Sequence, residues 1–168
     1  MQRLLLLAAV VFLAACGGDT NAPVAHVGEE AITHSELDTA VDHFRDEALA
    51  EGRSFPQKGS DEYRVVERQA LGLLVYRAEI VQSAGKLGVP VSESEVQQRM
   101  SAGGEDEGDS AFGRDTLTAQ LAYEHIYRRV TAGSTASGRE AAMRKWIAQM
   151  KEAYKDKVSY EAGFAPAS

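Results

Sequence analysis

The segment from Asp61 to Leu87 constrains the fold more than any other part of this chain. Its apolar residues recur at intervals of three and four, which places them on one side of an α-helix. They are Tyr63, Val66, Ala70, Leu73, Leu74, Ile80, Val81, Ala84 and Leu87, and Leu71, Val75 and Tyr76 widen the stripe. A helix that is apolar over so much of its circumference packs on more than one side. We therefore predict one continuous central helix, which Gly88 ends.

The flanking segments predict four more helices. Thr33 with Glu36, and Ser92 with Glu95, have the spacing of a capping box, which marks the start of a helix. We expect two further helices, one from about Asp115 and one over about 139–157. Five helices without an internal repeat predict a mainly α fold with one helical domain over residues 24–168.

Two short strands are expected before the first helix. Residues 24–27 alternate weakly between apolar and polar, Gly28 begins a tight turn, and Ala31 and Ile32 follow. A two-stranded hairpin is marginally stable alone in water. The alternating residues Val158 to Tyr160 are a candidate third strand, which would pack Val158 and Tyr160 beside Val27 or Ile32 and bring the two ends of the domain together.

The first residues indicate an exported precursor. A run of twelve residues without a polar side chain, Leu4 to Ala15, follows Arg3 and is too short to span a bilayer. It ends in Leu13-Ala14-Ala15-Cys16, which resembles the lipobox of bacterial lipoproteins. That resemblance implies a signal peptide over residues 1–15 and a diacylglyceryl group on Cys16. Residues 16–23 would be the lipidated cysteine and a polar tether.

Composition narrows the range of partners. Cys16 is the single cysteine, so no disulfide can form within the chain. Cleavage before Cys16 would remove Arg3 and take the formal net charge from −7 to −8. This acidic balance argues against nucleic acid and against adsorption on anionic lipid. We expect contact with the membrane through the lipid anchor only.

Two stretches resemble a known family. Residues 24–37 resemble the opening of the SurA-type chaperone N-terminal domain, in which a hairpin carrying the pattern V-G-x-x-x-I-T-x-x-E-L precedes a helix. Residues 71–96 resemble the long second helix of that family and its next capping box. The resemblance implies the client-holding part of a chaperone. Well-known members also carry a parvulin-type prolyl isomerase module, which we do not expect in the residues that follow the last helix.

No enzyme or metal motif stands out. G-x-S-x-G, H-E-x-x-H, C-x-x-C and phosphate-loop patterns are absent from the sequence. No two histidines are three or four residues apart; the four are His26, His34, His43 and His125. The acidic loop 103–109 lacks the ligand spacing of an EF-hand, which favours a solvated loop. We therefore expect no catalytic residues, no cofactor, no metal and no small-molecule substrate.

Aromatic and methionine side chains are the candidate client contacts. They adapt their shape without requiring a single partner. On the last helix, however, packing against the central helix also explains these residues, and this is the favoured interpretation there. The candidates are Phe44, Phe55, Tyr63, Met100, Phe112, Trp146, Met150 and Tyr154.

The sequence thus predicts a lipid-anchored extracytoplasmic chaperone or assembly factor that binds unfolded or nascent exported proteins. Gly17 stands where an aspartate commonly retains lipoproteins at an inner membrane. In a cell with two membranes this favours the periplasmic face of the outer membrane. The alternative is a dedicated adaptor lipoprotein of one secretion or envelope complex, without broad client binding.

Overall fold

The computed structural model describes residues 20–103 and 110–165, and its elements follow the predicted order. The strands are β1 (Pro23–Val27), β2 (Glu30–Thr33) and β3 (Val158–Tyr160). The helices are α1 (His34–Ala50), α2 (Asp61–Lys86), α3 (Glu93–Gly103), α4 (Ala111–Val130) and α5 (Gly138–Tyr154). The mainly α fold with five helices and a small sheet is confirmed.

Helix α2 is the central element, as the apolar residues around much of its circumference predict. It packs against α1, α4, α5 and β1. Its first turn is capped by the Ser60 side chain, which accepts a hydrogen bond from the Tyr63 backbone N–H at 3.1 Å. The helix ends at Lys86, and Gly88 follows with a φ of 73°, a conformation that glycine adopts without strain.

The predicted apolar stripe of α2 is only partly buried. Leu71 and Ile80 are fully buried, whereas Leu74 is half-buried and Val81 is 37% exposed. The sequence therefore identifies the helix correctly but assigns too wide an inner face. Residues 74 and 81 lie seven apart, two helical turns, so the half-buried and exposed positions share one side of the helix.

The N-terminal hairpin is confirmed. Strands β1 and β2 pair antiparallel, and Gly28 takes a φ of 62° in the turn between them. The predicted capping box at the start of α1 is present in both directions. The Thr33 backbone N–H donates to the Glu36 carboxylate at 2.7 Å, and the Glu36 N–H donates to the Thr33 hydroxyl at 3.3 Å.

The two ends of the described chain meet in one sheet, as predicted. The strand order is β2-β1-β3, with Val158 opposite Val27 and Tyr160 opposite Ala25. Strand β3 covers one edge of a hairpin that would be marginal alone. This closure brings the C-terminal end of α5 against the C-terminal end of α2.

Two predicted helix ends and one predicted capping box are corrected. Helix α4 begins at Ala111 rather than near Asp115, because the Ser110 hydroxyl caps it by accepting from the Gly113 N–H at 3.0 Å. Helix α5 ends at Tyr154 rather than near residue 157, because the chain turns into β3 through a Lys157 N–H bond to the Tyr154 carbonyl at 2.8 Å. At α3, Ser92 accepts from the Glu95 N–H at 3.3 Å, but the Glu95 carboxylate pairs with His125.

The described chain begins with residues that are tied to α1. The Thr20 and Ala22 carbonyls accept hydrogen bonds from the Ser35 and His34 N–H groups at 2.8 and 3.0 Å. The predicted signal peptide, Cys16 and most of the acidic loop, residues 104–109, lie outside the described residues. None of the described helices is long and apolar enough to cross a bilayer.

Candidate functional site

A cleft beside the loop between α1 and α2 brings two predicted client contacts together. Phe55 lies in the loop and Tyr63 in the first turn of α2, with ring centroids 6.2 Å apart and rings nearly perpendicular. Edge-to-face contact of this kind stabilises both rings. The cleft has a volume of about 240 Å³ and is lined by Asp38, Asp42, Arg45, Phe55, Pro56, Lys58 and Tyr63.

The rim of this cleft is charged but balanced. Asp42 pairs with Arg45 at 2.7 Å, and Asp38 lies 3.9 Å from the Lys58 ammonium. Both pairs are exposed, so each stabilises the fold by no more than about 1 kcal/mol and can open readily. Burial raises the pKa of Tyr63, with Lys58 opposing that shift, so the phenol at the base of the cleft is neutral near pH 7. The cleft thus presents apolar rings beneath a polar, adjustable rim.

Two other candidates, Phe44 and Phe112, belong to a second aromatic cluster. The His43 ring contacts Phe112 at 4.6 Å and Phe44 at 6.4 Å between centroids. The Arg77 guanidinium lies over the Phe112 ring at 4.0 Å. Phe112 is only 7% exposed and Phe44 is half-buried, whereas His43 is exposed, so this cluster joins α1, α2 and α4 at the edge of the core.

Met100 lies at the contact between α3 and α4. Its sulfur accepts from an Arg114 guanidinium nitrogen at 3.9 Å, and its side chain is half-buried. This position is separate from both aromatic groups.

The last-helix candidates pack into the core. Met150 and Tyr154 are buried in the hydrophobic core, and Trp146 is half-buried and packs against it. The Tyr154 hydroxyl accepts from the Lys86 ammonium at 2.7 Å and donates to the Gln82 side chain at 3.2 Å. This burial agrees with the favoured interpretation that the last helix packs on α2. A role of these residues in client binding stays a prediction.

The outer side of α4 carries aromatic residues that the sequence analysis passed over. Tyr123 and Tyr127 are 37% and 36% exposed and lie one helical turn apart. They line a groove of about 360 Å³ together with Glu124 and Arg128. The available signal was the i, i+4 spacing of two tyrosines ahead of Arg128 and Arg129.

A second groove, of about 420 Å³, continues past Arg128. Its lining residues are Val89, His125, Arg128, Arg129 and Ala132. His125 is fixed from both sides of its ring. Its Nδ1 lies 3.2 Å from the Val89 carbonyl, and its Nε2 lies 2.8 Å from the Glu95 carboxylate. These contacts hold α3 and the loop before it against α4.

Residues 1–129 match the model of a family described as the SurA-like N-terminal domain. The match includes β1, β2 and α1 to α3, together with nearly all of α4. Helix α5 and strand β3, which complete the core and the sheet, lie beyond it. No curated protein and no solved structure matches the chain.

Proposed function

The chain belongs to the family of SurA-like N-terminal domains, and from that premise we propose that it is a lipid-anchored extracytoplasmic chaperone or assembly factor. The family suggests a chaperone-like periplasmic function. In the proposal, the domain binds extended segments of unfolded or nascent exported proteins through apolar side chains. Holding such segments requires burial of apolar surface and no chemical step, so no cofactor is invoked.

The observation that carries this proposal is the cleft at Phe55 and Tyr63. Its volume of about 240 Å³ accommodates one large apolar side chain of a client rather than a folded surface. Two rings, with Pro56 beside them, offer apolar contact without a set of fixed hydrogen-bond donors. A site of this kind binds many sequences weakly, as a holding chaperone requires.

The broad-client function can be separated from the adaptor alternative by one assay. The full chain in zwitterionic nanodiscs should suppress the light scattering of several unrelated unfolded proteins during refolding. An adaptor of one envelope complex would leave that scattering unchanged and would instead crosslink to a single partner in cells. Suppression of none of the unrelated clients would overturn the chaperone proposal and favour the adaptor.

The cleft itself is tested by Phe55→Ala. Phe55 is half-buried in a loop, so its removal should weaken client binding severalfold while the fold persists. Val81→Ala is the matched control, because it also shortens an apolar side chain but lies 18 residues from Tyr63 along α2, about 27 Å away. Equal effects of the two substitutions would exclude the cleft as the binding site.

The proposed anchor is supported by the run Leu13-Ala14-Ala15-Cys16. Cys16→Ser should abolish incorporation of labelled fatty acid and leave an uncleaved or soluble chain. In a two-membrane cell, the wild-type chain should fractionate with the outer membrane and Gly17→Asp should shift it to the inner membrane. Unchanged lipid labelling of Cys16→Ser would contradict the lipoprotein proposal.

A further inference from the structure

The outer side of α4 presents a surface that the proposed client cleft does not include. We call Tyr123, Tyr127, Arg128 and Arg129, together with Val89, the tyrosine–arginine face. The two tyrosines are among the most exposed large apolar residues of the described chain. Two adjoining grooves share Arg128, so aromatic and cationic groups form one continuous surface.

The free charge on this face is positive. Arg128 and Arg129 form no ion pair with any residue of the described chain. The carboxylate that lines the first groove, Glu124, is paired with Arg99 at 3.3 Å. In the second groove, His125 is held by Glu95 at 2.8 Å. On a chain whose formal net charge is −7, two unpaired guanidinium groups beside exposed tyrosines form a distinct cationic patch.

Arg128 and Arg129 lie in the last turn of α4, where basic residues stabilise a helix. This effect explains the arginines but not the tyrosines and grooves beside them. Cations at a helix C-terminus stabilise the helix dipole by about 0.3–1 kcal/mol. That effect accounts for basic residues at this end of the helix. It does not account for the two exposed tyrosines in the preceding turn, or for a groove on either side of Arg128.

The dimensions and the charge of the face specify its occupant. Tyr123 to Arg129 spans six residues of helix, about 9 Å, which is the length of roughly three residues of extended chain. Guanidinium groups bind carboxylates through paired, charge-assisted hydrogen bonds. Tyrosine rings supply broad apolar contact at little conformational cost.

We propose that the tyrosine–arginine face binds an extended peptide segment in which an acidic residue is flanked by apolar ones. The acidic side chain pairs with Arg128 and Arg129, and the apolar neighbours lie on Tyr123 and Tyr127. This inference rests on the proposed client-holding function and names a class of segment that the domain selects. The rest of this acidic protein would repel an acidic segment. The tyrosine–arginine face therefore determines where the segment binds.

The test compares labelled ten-residue peptides of one apolar framework with Glu, Gln or Lys at the centre. Fluorescence polarisation is measured with the full chain in phosphatidylcholine nanodiscs. The Glu peptide should bind about tenfold more tightly than the Gln peptide, and the difference should fall as NaCl rises from 50 to 500 mM. Arg128→Gln with Arg129→Gln should reduce that preference to less than about twofold.

The matched control is Arg64→Gln with Arg144→Gln, which removes two exposed guanidinium groups from α2 and α5. Its Glu preference should equal that of the wild type. An equal loss in this control would show that only the net charge matters and would overturn the proposal.

The remaining outcomes separate this inference from the proposed function. If peptides bind and aggregation is suppressed without any Glu preference, the inference fails and the chaperone function stands. If no peptide binds and no aggregation is suppressed, the chaperone function itself fails. Protection of residues 123–132 from hydrogen exchange in phosphatidylglycerol nanodiscs without peptide would assign the face to a lipid surface. An oligomer lost in the 128/129 variant would assign it to a second copy, and either result would overturn the proposal.

Discussion

Arg77 is the buried cation at the centre of the domain. It is 9% exposed, and one terminal guanidinium nitrogen, Nη1, is buried without a hydrogen-bond partner in the described chain. Burial lowers the pKa of Arg77, and the Asp115 carboxylate opposes that shift only in part. The Phe112 ring at 4.0 Å recovers some of the lost solvation through a cation–π contact. The contacts in the described chain therefore compensate only part of the desolvation of this charge.

Replacing this charge with an apolar side chain of similar length should stabilise the protein. Arg77→Met keeps packing against Phe112 and removes an incompletely satisfied buried guanidinium, so we expect the free energy of unfolding in urea to rise by about 1 kcal/mol. The control Arg64→Met removes an exposed guanidinium paired with Asp61. It should not raise the free energy of unfolding and should lower it by no more than about 1 kcal/mol. A clear loss of stability in Arg77→Met would show that the buried charge stabilises the fold.

Glu79 should make stability depend on pH. Burial raises the pKa of Glu79, and the Lys151 charge opposes the shift. The folded protein therefore binds this proton more strongly than the unfolded chain, whose glutamates titrate near about 4.3. The ionised carboxylate then lowers the free energy of unfolding as pH rises above that value. Glu79→Gln should be more stable than the wild type at pH 7, with a difference that vanishes at about pH 3.

The measurement for Glu79 is urea unfolding followed by circular dichroism between pH 3 and pH 8. Glu152→Gln, an exposed carboxylate of α5, shows the effect of the same change outside the core. A Glu79→Gln protein that is less stable than the wild type at pH 7 would contradict the expectation.

At the scale of the element, α2 is defined by which of its leucines face the core. Neighbouring elements bury Leu71, Val75 and Ile80, which lie on more than one side of the helix, and they leave Leu74 half-buried and Val81 exposed. Both kinds of position fit the same helical period in the sequence. The difference arises because the inner face is set by the elements packed against the helix, principally α4 and α1.

Truncating two leucines of α2 should measure this difference. Leu71→Ala removes a side chain that is 1% exposed and should lower the free energy of unfolding by about 2–5 kcal/mol. Leu74→Ala should lower it by roughly half as much, since part of its surface already meets solvent. Both values come from the midpoints of urea unfolding at an unchanged slope. Equal losses would mean that the two positions are equally buried.

At the scale of the whole molecule, the sheet joins the first and last elements of the described chain. Hydrogen bonds from Gly28 N–H to the Lys157 carbonyl, at 2.8 Å, and from Glu161 N–H to the Val24 carbonyl, at 2.9 Å, flank the β1–β3 pair. Antiparallel hydrogen-bonded pairs alternate by two residues, so His26 and Ser159 form the pair between them. The network of Tyr154, Lys86 and Gln82 supports the same junction from α5 and α2, because the Gln82 side chain also donates to the Val27 carbonyl at 2.9 Å.

Ser159→Pro should open this junction. Proline removes the N–H group that faces His26 and cannot replace it, so we expect a loss of about 1–3 kcal/mol in the free energy of unfolding. Amide hydrogen exchange at β1 should become faster at the same time. Ser159→Ala keeps the N–H group at an exposed position and should change little. A Ser159→Pro protein as stable as the alanine variant would show that β3 does not stabilise the sheet.

Local patterns in the sequence were enough to predict the elements and their order. The capping pair Thr33 and Glu36, the glycine turn at Gly28 and the helical period of residues 61–87 each act within a few neighbouring residues. Such local patterns therefore predict the same helix or turn independently of the tertiary structure. Even the third strand could be predicted. An open hairpin edge leaves backbone groups unpaired, and residues Val158 to Tyr160 alternate between apolar and polar as a strand does.

Only the tertiary structure decided which apolar residues form surface and which form core. Phe112, Met150 and Tyr154 are aromatic or methionine residues like Phe55, yet packing buries them and leaves Phe55 beside a cleft. The i, i+4 spacing of Tyr123 and Tyr127 was visible in the sequence, but it did not show that both tyrosines are exposed beside a groove that Arg128 also lines. Burial depends on contacts between residues far apart in the chain, and helical periodicity alone does not say how much of a helix its neighbours cover.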